Sequence, residues 1–207
     1  MSIYDRSPEG GEQDVKEILS LMVSHTAGDV ALITKAYDFA EEAHKEHERL
    51  SGEPYLVHLV GTAKNLAKMR ADPQTVAAGL LHDTLEDTAV TPAELLREFG
   101  PDILFLVDGV TKLGKIKYRG VERHAESLRK LFIATAKDIR VILIKLADRL
   151  HNISTLEYVK PEKRTRIALE TIEIYAPVAN RLGMGQMKGS LEDAAFPYAM
   201  PKEYAQT

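Results

Sequence analysis

The sequence predicts an all-α fold on three observations. Apolar residues recur at i, i+3, i+4 and i+7 through most of the chain, the repeat of a helix with one buried face. No segment alternates apolar with polar residues as a half-buried strand does. Proline and glycine fall between the periodic segments, at Ser51-Gly52-Glu53-Pro54 and Gly100-Pro101, where they break one helix from the next.

Val15, Ile18, Leu19 and Met22 define the first helix, after residues 1–12, which read as a flexible tail. A second helix is expected over residues 31–47. After the break at 51–54, Pro54 suits the first turn of a helix that carries Tyr55, His58, Ala63, Leu66 and Met69. A further helix begins near Pro73 and carries Val76, Ala77, Leu80 and Leu81. Thr91-Pro92-Ala93-Glu94 is a capping box, in which threonine and glutamate each satisfy a free backbone N–H at a helix start. Its helix ends at Gly100-Pro101. Helices over 101–113, 122–136, 138–156, 161–182 and 185–195 complete the set, with a mobile loop at Gly109–Gly120.

A chain of 207 residues holds one large domain or two small ones and can bury a sizeable core. Hydrophobic residues at 44% and charged residues at 28% fit a soluble globular protein. There is no cysteine, which excludes disulfides and thiolate zinc sites and leaves nitrogen and oxygen to hold any metal. A cytoplasmic location is expected. No apolar run approaches the roughly 20 residues of a membrane span; the run from Val141 to Ile144 stops at Lys145. A net charge of −4 argues against nucleic-acid binding by the surface as a whole. One region is locally basic, with Lys112, Lys115, Lys117, Arg119, Arg123, Arg129 and Lys130 opposed by Glu122 and Glu126. It reads as a solvated face or as a positive rim for an anionic small molecule.

The stretch LLHDTLEDT, residues 80–88, runs two leucines into His82, Asp83, Glu86 and Asp87. On a helix these four occupy less than half the circumference. A second group, Asp148, His151, Asn152 and Thr155, shares one helical face and also follows an apolar run. His58 lies inside the apolar segment Tyr55–Val60. Three helices thus push metal-competent groups out of buried surroundings, where an unpaired charge is expensive. His58, His82, Asp83 and Asp148 together offer two imidazoles and two carboxylates, a set suited to manganese, iron or another six-coordinate divalent ion. The residues alone leave a second reading open: hydrogen-bonded core histidines and an aspartate paired with a nearby base. Adjacent His82 and Asp83 cannot both reach one ion from a regular helix without a local adjustment.

The blocks RLSGEPYLVH, GLLHDTLEDT, VTKL, KDIRVILIKLADRLHNISTL and ETIEIYAPVANRLGMGQMK resemble, in order, those of the RelA/SpoT homologue (alarmone synthetase/hydrolase) family, within the HD metal-dependent phosphohydrolase superfamily. The resemblance runs from about residue 36 to 207 and implies an HD-domain helical bundle, with the hydrolase over 13–182. It implies that His58, His82, Asp83 and Asp148 bind Mn2+ and that Glu86 and Asp87 are the catalytic acidic pair. Arg49 and Ser51 match positions bordering guanine, and Asn152 and Thr155 match positions contacting the nucleoside. The implied reaction is hydrolysis of guanosine 3′-diphosphate 5′-di- or triphosphate, (p)ppGpp, to pyrophosphate and GDP or GTP in the stringent response. Residues 183–207 are similar to the connector toward a synthetase domain, which regulates hydrolysis in the family and does not follow here. The chain departs from the family at Leu50, Leu59, Ser154 and Asn180, positions that bear on nucleotide affinity more than on the metal or the acidic pair. Two other functions fit the same residues: a catalytically silent nucleotide sensor, and an HD phosphohydrolase of other nucleotides.

Overall fold

The computed structural model describes residues 8–114 and 137–205. Eleven α-helices lie in these residues: α1 (Pro8–Leu21), α2 (Ala27–Ala43), α3 (Leu56–Lys68), α4 (Pro73–Leu81), α5 (Thr84–Asp87), α6 (Pro92–Gly114), α7 (Ile139–Ser154), α8 (Pro161–Glu170), α9 (Ala176–Arg181), α10 (Gly185–Ala199) and α11 (Pro201–Tyr204). A 3-10 turn covers Leu156–Tyr158 and a π-helical turn covers Thr171–Tyr175. Among the described residues the only β-pairing is an isolated bridge between Glu48 and Pro54, so the fold is all-α as expected.

The centre of the molecule is α3. It buries Leu56, His58, Leu59, Val60, Thr62, Ala63, Leu66 and Ala67, and packs on α7 and α4 and, more lightly, on α1 and α2. Helix α4 is buried over most of its surface because α2, α3, α6 and α7 surround it. Such a helix carries apolar or small residues all round, as Val76, Ala77, Ala78, Leu80 and Leu81 do. The start of α3 and the ends of α4 and α7 therefore converge at one place with the core behind them. A smaller cluster of Ile153, Leu156, Ala168 and Ala195 ties α7, the 3-10 turn, α8 and α10 together.

Capping explains several boundaries. Thr26 and Asp29 form a reciprocal capping box that starts α2 at Ala27, earlier than the expected residue 31. The box at Thr91 and Glu94 forms as the sequence predicts, with Thr91 N donating to Glu94 Oε2 and Glu94 N to Thr91 Oγ1. Asp72 caps α4 by accepting from Thr75 N, with Pro73 in the first turn.

Some expectations are corrected. Helix α1 begins at Pro8, so residues 8–12 are helical rather than tail. Pro54 does not enter the following helix; it lies in the bridge to Glu48, and α3 starts two residues later. Residues 109–114 continue α6, in line with the helix expected over 101–113 and against the overlapping loop expected from Gly109, because Val110, Thr111 and Leu113 are buried there. The rest of that loop, the helix expected over 122–136 and most of the basic region lie outside the described residues; within them Lys112 pairs with Asp108. Helix α6 bends at Gly100, whose φ of 80° and ψ of 177° suit glycine, directly before Pro101. The helix expected over 161–182 is interrupted by the π turn ahead of Pro177, because proline has no N–H and crowds the carbonyl four residues back. Helix α10 runs on to Ala199 and buries Met187 and Leu191 in the main core. No helix among the described residues is long and apolar enough to cross a membrane.

Candidate metal centre

His58 stands in the first turn of α3, 2% exposed among Leu56, Leu59 and Val60. Helix α4 stops at Leu81, and the backbone leaves it through His82 and Asp83, whose φ and ψ are −97° and −3°, before α5 begins. Neighbours on a regular helix point about 100° apart. The break supplies the local adjustment and brings His82 Nε2 to 3.0 Å from Asp83 Oδ2. Asp148 comes from α7. Its Oδ1 lies 3.3 Å from His58 Nε2 and 3.9 Å from His82 Nε2. Asp83 Oδ2 lies 3.7 Å from His58 Nε2.

One donor atom of each of His58, His82 and Asp148 falls within 4.8 Å of the other two. Ligands of one ion with bonds of about 2.1 Å stand roughly 3 to 4 Å apart, so this spacing suits a shared cation. The hydrogen bonding of His82 gives an independent test. Its Nδ1 lies 2.8 Å from the carbonyl oxygen of Gly79. A carbonyl only accepts, so Nδ1 holds the proton and the neutral ring presents a bare lone pair at Nε2. That atom is buried and makes no aligned hydrogen bond, although two carboxylates face it. A lone pair against carboxylates repels; a cation between them attracts both. The residues fit a divalent metal held by nitrogen and oxygen.

The electrostatics agree. Burial alone would push His82 down, but Asp83 and Asp148 outweigh it and lift the imidazole to about 9, so without a metal a proton on Nε2 supplies the positive charge, and a bound cation takes that proton's place. Burial would raise Asp148, and Lys145, His58 and His82 instead hold it well below the carboxylate range. Asp83 is also held low: His82 overcomes the cost of its burial. Burial keeps His58 below its ordinary value.

The surrounding groups orient these donors. Lys145 Nζ donates to Asp148 Oδ2 at 2.6 Å, and Asn152 Nδ2 donates to Asp148 Oδ1. Tyr55 hydroxyl donates to Asp83 Oδ2 at 2.7 Å and lies 3.2 Å from Asp87 Oδ2, so one proton sits between two carboxylates. The Tyr55 ring stacks on His44 with centroids 4.9 Å apart. Arg49 Nη2 donates to Asn152 Oδ1 at 3.1 Å, and its Nη1 lies 3.0 Å from His151 Nδ1. His151 Nδ1 lies 3.0 Å from His58 Nδ1. Burial, with His58 and Arg49 alongside, holds the His151 imidazole down to about 3.

Six of the ten expected site residues thus meet directly: His58, His82, Asp83, Asp148, Arg49 and Asn152. Glu86 and Asp87 are exposed on α5 at the rim, with Asp87 joined to the centre through Tyr55. Partial burial and Asp83 raise Asp87 above its ordinary value. Two residues turn elsewhere. Ser51 Oγ donates to Glu53 Oε2 within its own turn, and Thr155 Oγ1 donates to the His151 carbonyl at the end of α7. Sequence reasoning gave no role to Tyr55, Lys145 or His44. Tyr55 and Lys145 each stand three residues before a metal-competent residue on a helical face, a signal the spacing carried; His44 had none.

Residues 36–185 match the sequence model of a family described as HD domain. The guanosine-3′,5′-bis(diphosphate) 3′-pyrophosphohydrolase of Aquifex aeolicus is 50% identical over 194 residues, which cover 94% of this chain and 28% of the relative. The GTP pyrophosphokinase of Myxococcus xanthus is 46% identical, covering 98% of this chain and 27% of the relative. The bifunctional (p)ppGpp synthase/hydrolase SpoT of Escherichia coli is 48% identical, covering 83% and 25%. The chain spans about a quarter of the length of these curated relatives. A solved structure described as a metazoan ortholog of SpoT that hydrolyses ppGpp superposes with a TM-score of 0.60 at 24% identity, covering 84% of this chain and 97% of the other; that likeness shows the fold.

Proposed function

We propose, from the premise that this chain belongs to the HD domain family, that it hydrolyses guanosine 3′-diphosphate 5′-di- or triphosphate to pyrophosphate and GDP or GTP, with Mn2+ as cofactor. The relatives carry names for both making and breaking this nucleotide, and those names attach to much longer proteins. The site supports hydrolysis. One observation carries the reading: two imidazoles and two carboxylates converge from three parts of the chain, with His82 Nε2 buried and facing both carboxylates.

His58, His82, Asp83 and Asp148 would hold the metal. When bound, a divalent ion supplies positive charge against a phosphate oxygen and acidifies water. Manganese suits a set of nitrogen and oxygen donors with no sulfur. Glu86 and Asp87, at the rim, orient the attacking water and take its proton, Glu86 the more directly. The water oxygen bonds to the phosphorus on the 3′ oxygen, that P–O bond breaks, and the 3′ oxygen leaves to become the free hydroxyl. Arg49 presents a planar cation to guanine, a role lysine cannot copy. Asn152 and Thr155 border the nucleoside, and Ser51 meets it after its turn opens from Glu53. The setting we infer is the cytoplasm, and the process the stringent response.

The test is pyrophosphate release from guanosine 3′,5′-bis(diphosphate) with chelator, with manganese and with neither. Release that needs manganese and stops with chelator supports the reading. Tight nucleotide binding with no release in manganese would replace it with a sensor. Faster release from another nucleotide of a panel would replace the substrate.

A further inference from the structure

We propose that His151 is a positioning residue that fixes which ring nitrogen of His58 faces the metal, on a seat that Gly61 leaves open. The inference rests on the reading of His58 as a metal ligand.

The argument starts from a group that can only donate. The Arg49 guanidinium has no acceptor, and its Nη1 stands 3.0 Å from His151 Nδ1. His151 Nδ1 is therefore the bare, accepting nitrogen of its ring. His58 Nδ1 stands 3.0 Å from that same atom. Two bare nitrogens would repel at this distance, so His58 Nδ1 carries its proton and shares the single His151 Nδ1 lone pair with Arg49. The other His58 nitrogen, Nε2, is then left as a lone pair 3.3 Å from Asp148 Oδ1 and 3.7 Å from Asp83 Oδ2.

The alternative tautomer shows what His151 prevents. With its proton on Nε2, His58 would donate to Asp148 Oδ1 and block the nitrogen that a metal needs. His82 faces the same choice and is fixed by the Gly79 carbonyl. For His58 the carbonyl three residues back, on Tyr55, accepts from the His58 backbone N–H; a second imidazole, held by an arginine 102 residues away in sequence, meets the ring nitrogen instead. Outer partners of metal-bound histidines set tautomer and ring direction in this way.

The seat of His151 is a second, separate observation. Gly61 lies on α3 one turn beyond His58, on the same face. A Cβ built on Gly61 would fall 2.0 Å from His151 Cδ2 and 2.3 Å from its Nε2. The imidazole therefore lies against bare backbone, where no other residue leaves room. Glycine inside a helix costs about 1 kcal/mol relative to alanine, so intrinsic helix preference would place alanine here.

The experiment measures Mn2+ affinity of the chain by the electron paramagnetic resonance of free Mn(II), with thermal unfolding of the metal-free proteins as the check on folding. His151→Ala should weaken Mn2+ binding about 10- to 100-fold. His151→Asn, whose Oδ1 can accept near the position of Nδ1, should stay within about threefold of the parent. Gly61→Ala should lose affinity like His151→Ala while keeping both rings and gaining helix propensity. Added to His151→Ala, it should cost nothing more, because the ring it displaces is gone. Parent affinity in His151→Ala, equal losses in His151→Ala and His151→Asn, or simple addition in the double variant would overturn the inference alone. A parent that binds no Mn2+ would overturn the metal reading of the site and this inference with it.

Discussion

Replacing Lys145 with methionine tests how the site balances its charge. The Lys145 and Asp148 side chains are 16% and 5% exposed, with Nζ 2.6 Å from Oδ2. Burial lifts Asp148, and Lys145 is the largest of the effects that hold it low. At an effective dielectric of about 20, unit charges with centres about 4 Å apart attract by about 4 kcal/mol. Breaking a buried pair by removing one partner typically costs about 3–5 kcal/mol. Lys145→Met should therefore lower the unfolding free energy of the metal-free protein by that amount. Excess Mn2+ should shrink the loss, because the ion stabilises only the folded state and supplies charge that Asp148 has lost. The assay is urea unfolding followed by circular dichroism, at one pH, with and without Mn2+ and with the slope m unchanged. Lys112→Met is the control: its pair with Asp108 is 72% and 44% exposed, and it should change stability by less than about 1 kcal/mol. A loss below about 1 kcal/mol in Lys145→Met, or one that Mn2+ leaves untouched, refutes the reasoning.

Three other outcomes are expected. Glu86→Gln should keep parent Mn2+ affinity and lower turnover about 10²- to 10⁴-fold; a parent rate of pyrophosphate release would remove Glu86 from the reaction. Tyr55→Phe keeps the stack on His44 and loses the proton between Asp83 and Asp87, so calorimetric Mn2+ affinity should fall about tenfold. His44 is buried, and that burial lowers its pKa from 6.5 to about 4. Below pH 6.5 the unfolded chain takes up a proton that the folded chain refuses until about pH 4, so stability falls across that window, by about 3 kcal/mol in all. His44→Phe should flatten the dependence by that share in unfolding measured from pH 7 to 4, and an unchanged slope would count against it.

The helices were legible because their signals are local. The spacing of Val15, Ile18, Leu19 and Met22 describes one helical face without reference to a partner, and all four are buried. The Thr91–Glu94 box lies within four residues and closes as expected. Where competing interactions decide, expectation and structure part. Gly100 and Pro101, expected to separate two helices, only bend α6, and Pro177 opens a π turn in a segment whose periodicity is unbroken.

By itself, the sequence determined that His58, His82, Asp83 and Asp148 each need a partner. Charged and imidazole groups at the edge of apolar helices have to be compensated, and that cost is a property of residue type and burial. Only the tertiary structure decided how they are compensated. It turned the chain at 82–83 so that adjacent side chains meet, set Lys145 and Asn152 on opposite oxygens of Asp148, and drew Arg49 onto His151. It also sent Ser51 and Thr155 to local partners instead. A hydrogen bond depends on direction to within tens of degrees and on distance to within a few tenths of an ångström. Helical spacing fixes only which face a side chain leaves from, so partners a hundred residues apart are chosen by packing.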